Sequence, residues 1–238
     1  MLKAHTAYFG ASGKKDQPVL TVAGFVSDDN KWKMFESEWA EALASQSLTY
    51  FHMTDSVAKK PPFDEIALRP EKRDKFFRGL GEIAVRRTVH SFAAMIPMDQ
   101  YNSANKAYQL DEWFGGPYAY AGLSCIIKLK KWAVRRKIEL PQVFFEDGDE
   151  GKGRLHKSIR VLLGISPVFK TKRELRAFQA SDLAAWEAAR FVKMAHAPLK
   201  YEKLRDSFLR LDAHGKDWGA VMREDIISTC KNFGCPRR

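Results

Sequence analysis

The chain has 238 residues, 45% apolar and 12% aromatic, enough to bury an ordinary core as one large domain or two small ones. No run approaches the ~20 uninterrupted apolar residues of a membrane helix. The first residues form no signal segment, and three cysteines (Cys125, Cys230, Cys235) are too few for a disulfide framework, so a cytoplasmic protein without membrane association is expected. The formal charge is +11 and unevenly spread: residues 128–176 hold 14 Lys or Arg against 6 Asp or Glu. That pattern suggests a basic face and an anionic partner, nucleic acid first, with lysines scattered over solvated helices as the alternative.

Taken in chain order, residues 4–9 and 18–26 read as strands of an antiparallel hairpin around the turn-rich segment 10–17. Asp29 or Asn30 caps a helix to about Ser45, with Trp32, Phe35, Trp39 and Leu43 at helical spacing. A short strand is expected at Leu48–Met53, then a loop to residue 68. A helix from Pro70 to about Arg86 follows, then a strand at Val89–Ile96, then an irregular or helical stretch to residue 116. A long helix from Tyr118 to about Ile138 carries Lys128, Lys130, Lys131, Arg135, Arg136 and Lys137 on its polar face. Gln142–Glu146 is a strand, and a helix near Gly153–Leu163 and a short strand at Pro167–Lys170 precede the helix Leu175–Met194. Residues 199–233 read as helical, with a break at Gly215. One mixed sheet covered by helices, in a single domain with a helical extension at 199–238, fits this order.

The helix 175–194 should turn Leu175, Phe178, Asp182, Ala185, Ala189 and Val192 inward, flanked by Gln179 and Trp186. A carboxylate in such a stripe must be paired, protonated or bound to metal. A buried salt bridge and a helix of different phase are the plain alternatives. The strand 143–145 ends in Glu146-Asp147-Gly148-Asp149. Carboxylates there, joined by Asp182, would make a hard-oxygen site for Mg²⁺ or Mn²⁺ able to activate water; a solvated Asp-Gly turn is the alternative. His52, beside Asp55, suits phosphate positioning or proton shuttling, or is a strand-end histidine. The glycine loop at 10–13 lacks the Gly-Lys-Ser/Thr ending of a nucleotide P-loop, and neither a nicotinamide fingerprint nor a nucleophile elbow is present. Hydride transfer and acyl transfer therefore have no anchor.

Four motifs, in order, resemble those of the domain-of-unknown-function 3800 family of bacterial proteins: residues 7–13 (Ala-Tyr-Phe-Gly-Ala-Ser-Gly), Phe51-His52-Met53, residues 143–148 (Val-Phe-Phe-Glu-Asp-Gly), and residues 178–187, in which Gln179 and Asp182 stand three apart before a Leu-Ala run. The resemblance implies a ribonuclease H-like fold with a five-stranded mixed sheet flanked by helices. It also implies a nuclease or phosphodiesterase in which two divalent ions, Mg²⁺ or Mn²⁺, sit on acids carried over as Glu146, Asp147 and Asp182. His52 and Gln179 would position the phosphate or a water, while Lys14, Lys15, Lys128, Lys131 and Arg135 would attract a nucleic-acid backbone. One position departs: where relatives carry the first-strand acid, this chain has Gly10. Hydrolysis would then be impaired, and the alternative is a degenerate module of the same fold that binds a nucleic-acid or protein partner. A glycine within a strand costs stability unless it marks a bulge or a close approach.

Overall fold

The computed structural model describes residues 4–13, 16–64, 69–148, 151–196, 205–213 and 216–237. Lys14, Lys15 and Asp149 lie outside them. The sheet contains β1 (His5–Ser12), β2 (Val19–Asp28), β3 (His90–Pro97), β4 (Gln142–Glu146), β5 (Val168–Lys170) and β6 (Lys216–Ala220), in the order β5-β4-β1-β2-β3-β6. Only β2 runs against the others: it pairs antiparallel with β1 and β3, while β1–β4, β4–β5 and β3–β6 are parallel. The five strands expected of the ribonuclease H-like architecture are thus present with their early hairpin, and β6 is a sixth.

Two expectations need correction. Leu48–Met53 is not a strand: it runs as irregular chain into α2 (Met53–Val57). The C-terminal part is not purely helical, because β6 lies between α9 (Asp206–Ala213) and α10 (Arg223–Asn232) and adds to the edge of the sheet.

Both faces of the sheet are covered, so β2 is buried at every residue and its alternate side chains feed two cores. On one face Leu20, Val22, Val26, Phe9, Phe92 and Phe145 pack under α4 (Met98–Tyr108), α5 (Leu110–Phe114), α6 (Pro117–Arg136), α7 (Lys152–Leu163) and α10. On the other, Val19, Ala23, Phe25, Ala93 and Met95 pack under α1 (Asp29–Ala44), α3 (Pro70–Arg87) and α8 (Ala177–His196). The apolar series Trp32, Phe35, Trp39 and Leu43 is buried as its spacing predicts. The cap of α1 is Asp28, one residue earlier than expected, whose Oδ1 accepts from the Lys31 N–H at 3.1 Å.

Glu38 fastens α1 to α3, accepting from Arg86 Nη2 at 2.8 Å and from Arg87 Nε at 3.0 Å. The Arg87 and Arg86 hydrogen bonds hold its carboxyl down to about 2. A depressed acid stabilises the fold above its ordinary titration range, and that contribution is lost as pH falls toward the folded value. Melting curves of the protein and of Glu38→Gln should therefore differ at neutral pH and converge near pH 2; a gap unchanged across that window would refute the assignment.

Candidate functional site at the ends of β1 and β4

The strand period of two decides which acids can meet. Ala7 and Phe9 of β1, with Val143 and Phe145 of β4, face the α4–α7 side. Tyr8 and Phe144 face α8 and stack at 5.2 Å, and Tyr8 meets the Phe178 ring of α8 edge-on at 5.6 Å. By the same alternation Gly10 and Glu146 lie on the α8 face, on adjacent parallel strands. A Cβ on Gly10 would stand 3.3 Å from Glu146 Oε2, 3.3 Å from Ser181 Cβ and 3.5 Å from the Asp182 backbone nitrogen. Gly10, where the resemblance implies an acid, Glu146 and the Asp182 turn of α8 therefore converge.

This also accounts for the glycine. β1 and β2 pair residue for residue from His5↔Asp28 to Ser12↔Thr21, so no bulge is present at Gly10. Its use is close approach: α8 crosses β1 with Ser181 Oγ donating to the Tyr8 carbonyl at 3.0 Å.

Asp147 does not join them. Following Glu146 in the strand, it turns to the other side, where Oδ2 accepts from Lys152 Nζ at 2.8 Å and Oδ1 from the Gly148 N–H at 2.8 Å. The Lys152 ammonium lowers its carboxyl below the ordinary range. Glu146 itself is paired, its Oε1 2.9 Å from Lys172 Nζ, with both side chains largely enclosed.

Asp182 is buried, 4% exposed, and its Oδ2 accepts from the Met53 N–H at 2.7 Å. Three residues earlier, Gln179 Oε1 accepts from Phe51 N–H and Trp39 Nε1–H, both at 2.9 Å, and its Nε2 donates to the Lys172 carbonyl at 3.2 Å. Side chains three apart on a helix lie on one flank, and the N–H groups of residues 51 and 53 point the same way from an extended segment. Two of the four motifs, Phe51-His52-Met53 and Gln179…Asp182, are thus one hydrogen-bonded clamp. The first half of α8 is consequently buried on nearly all sides, not in a single stripe. Asp182 lies on the flank facing residue 53, beside the Ala180, Leu183 and Ala184 positions of the core.

His52 Nδ1 lies 2.7 Å from Asp55 Oδ2, and Lys60 Nζ is 3.6 Å from Asp55 Oδ1. The His52 hydrogen bond, followed by charge interactions with His52 and Lys60, lowers the Asp55 carboxyl. This pair is partly exposed and is formed within one turn of chain. It therefore engages the Asp55 carboxylate locally.

The basic helix departs from expectation. Trp132 of α6 packs on His5 and His90, at the beginnings of β1 and β3, whereas Gly10 lies five residues along β1, roughly 16 Å away. Lys131 and Arg135 are exposed there, on the sheet face opposite α8, and Arg135 Nη2 bonds Asp217 Oδ2 at 3.0 Å. Lys128 is not a surface cation. Its Nζ donates to the carbonyls of Ala93 (2.6 Å) and Asp217 (3.1 Å), joining β6 to β3, and burial lowers its pKa.

No family model matches the chain, and no curated protein matches it. Among solved structures, a chain in the structure of the PCNA:RNase HII complex from Archaeoglobus fulgidus aligns with a TM-score of 0.48 at 12% identity, over 96% of this chain and 89% of that one. A likeness at that level says nothing about what this chain binds or does.

Among the described residues no group of three His, Cys, Asp or Glu side chains is placed to hold a metal ion. The donor set does not fit the two divalent ions that the resemblance implies. The position at which the resemblance implies the central acid is Gly10, Asp147 faces away, Glu146 carries a lysine, and one Asp182 oxygen is committed to a backbone N–H. The residues not foreseen are the cations: Lys172, Lys152, Arg173 and Arg176. One signal for them was available in sequence. A parallel strand beside β4 delivers whatever follows it to the same sheet end, and Thr171-Lys172-Arg173 follows β5, whose last residue Lys170 pairs with Glu146 in the ladder. Among the described residues no helix is long and apolar enough to cross a membrane.

Proposed function

We propose that this chain is a nucleic-acid-binding protein of ribonuclease H-like architecture, related to the domain-of-unknown-function 3800 proteins, whose hydrolytic centre has become a phosphate-tolerant surface. One observation carries this reading: at the ends of β1 and β4 each acid on the α8 face is matched by a donor. Lys172 meets Glu146 and the Met53 N–H meets Asp182, while Asp147, turned to the other side, is met by Lys152. Ionised carboxylates without counter-charge repel a phosphodiester, and divalent ions normally remove that repulsion. Here Lys172 offsets the Glu146 charge and the Met53 N–H holds one Asp182 oxygen, a centre that would admit an anionic backbone without supplying the metal-activated water of hydrolysis. The total charge of +11 favours the same partner.

The test is electrophoretic mobility and anisotropy with DNA and RNA at a series of salt concentrations, alongside cleavage assays with Mg²⁺ and Mn²⁺. Binding that weakens steeply with salt, without turnover, is the expected result. Affinity that barely responds to salt would overturn the binding reading, and metal-dependent cleavage by the chain as it stands would overturn the inactive-centre reading.

The second reading is a metal-dependent nuclease that lacks one ligand. The placement of Gly10, where an added Cβ would stand 3.3 Å from Glu146 Oε2 and beside the Asp182 turn, favours it, since an acid at that one position would face both.

A further inference from the structure

Beside the clamp a cleft of about 340 Å³ opens between the segment after α1 and the start of α8; its walls are Thr49, Tyr50, Arg173, Arg176 and Gln179. We infer that this cleft is the seat for one nucleotide of a single-stranded nucleic acid, with Arg173 and Arg176 holding its phosphate and Tyr50 receiving its base. The inference rests on the proposed nucleic-acid function and assigns it a strand type and an entry point.

The chemistry of the walls selects the ligand. Among the described residues no carboxylate side chain lines the cleft. The Gln179 carbonyl oxygen already accepts two hydrogen bonds, its full complement of lone pairs, so the amide offers only its remaining N–H. Arg173 is exposed and makes no ion pair among the described residues. Arg176 uses Nη1 and its backbone N–H on Glu36, both at 3.1 Å, which fixes its side chain and leaves further guanidinium N–H groups. Thr49 and Tyr50 add hydroxyls. A wall set that donates almost everywhere selects an anionic ligand rich in acceptors, and planar guanidinium groups suit phosphate oxygens.

Tyr50 distinguishes a nucleotide from a bare phosphate. It is half-buried, braced edge-on by Phe63 at 5.6 Å, and still reaches the cleft. A rigid aromatic beside paired arginines is the combination that binds unpaired bases by stacking and their backbone by charge. The volume falls at the low end of small-molecule sites, roughly 300–1,000 Å³, which accommodates a single unit of a strand. From this seat the strand would lead toward Lys172, whose carbonyl accepts from the Gln179 amide and whose ammonium pairs with Glu146.

Anisotropy of labelled oligothymidylate and oligouridylate tests the assignment, with a fluorescent adenosine monophosphate and a duplex of matched length as comparison arms. Arg173→Ala should weaken the single strands by about tenfold and lower the salt slope by about 0.7. Tyr50→Ala should weaken them by about fivefold to a hundredfold, and Tyr50→Phe should bind within about twofold of the unaltered protein. Both positions are at least partly exposed, and unchanged melting temperatures establish that the variants fold. If the protein binds single strands while Arg173→Ala and Tyr50→Ala bind equally well, the cleft assignment fails and the proposed function stands. If no nucleic acid binds at all, the proposed function fails with it. A duplex preferred over single strands, or a mononucleotide bound as tightly as an oligonucleotide, overturns the single-strand reading.

Discussion

Gln179→Ala should lower the unfolding free energy by about 2–6 kcal/mol, because it leaves two buried donors without acceptors at about 1–3 kcal/mol each. The donors are the Trp39 indole and the Phe51 N–H, both in residues with no solvent exposure. No water reaches them to take over, and the shorter side chain also releases the Lys172 carbonyl. A domain of this kind has only about 5–15 kcal/mol in total, so the variant should melt far below the unaltered protein. Urea denaturation measures the loss. The comparison variant Gln179→Glu keeps an acceptor for both donors and should be less damaging in the Trp39–Phe51 contact, while placing a carboxylate against the Lys172 carbonyl. A loss below about 0.5 kcal/mol for Gln179→Ala, the range of an ordinary surface substitution, would show that the clamp does not hold segment 51–53. The resemblance implied a Gln179 that positions phosphate or water. On that view the alanine variant would lose nucleic-acid affinity at unchanged stability, so the two measurements separate the roles.

The clamp illustrates what was legible in the sequence. β1, β2, β3, β4 and the helices α1, α3, α6 and α8 announce themselves through local periodicity, which is a property of neighbouring residues. Residues 48–53 have the composition of a strand, yet the N–H groups at 51 and 53 are satisfied by side chains about 130 positions later, a pairing that no local pattern reveals. β6 is concealed for a similar reason. Lys216-Asp217-Trp218-Gly219-Ala220 has two charges and a glycine and becomes an edge strand through its pairing with β3 and through Lys128, 89 positions away. Because β6 was not foreseen, Lys128 read as one more solvated cation of its helix.

The acidic site was half legible. The grouping of position 10, Glu146 and Asp182 follows from motifs that the sequence displays. Asp147 follows Glu146 at a strand end, and consecutive residues there point to opposite faces, so their separation is already implied by the strand period. The lysine on Glu146 is a different matter, since it depends on how the chain after β5 turns back toward α8.

Gly10→Asp joins these threads, and its expected behaviour has two parts of opposite sign. Without metal the variant should be less stable than the unaltered protein by about 1–3 kcal/mol, the usual cost of added atoms in a packed site. The new Cβ would lie 3.3 Å from Ser181 Cβ, on a helix that cannot retreat without loosening its contacts on β1, and the new carboxylate would face Glu146. Lys172 can neutralise only one of the two acids. With Mn²⁺ the repulsion becomes coordination, and binding at a hundred times the dissociation constant would restore about 2.7 kcal/mol. Thermal melts with and without Mn²⁺ should therefore superpose for the unaltered protein and separate for Gly10→Asp. Adding Asp182→Asn to Gly10→Asp should abolish most of that separation, because the third oxygen ligand loses its charge while its size and its acceptor for the Met53 N–H persist. If Mn²⁺ leaves Gly10→Asp unmoved, the convergence at the ends of β1 and β4 is packing alone and the second reading, a nuclease short of one ligand, is lost. If the separation appears and survives Asp182→Asn, the ion is held elsewhere, and Asp182 is what the clamp shows it to be: the acceptor that fixes residue 53.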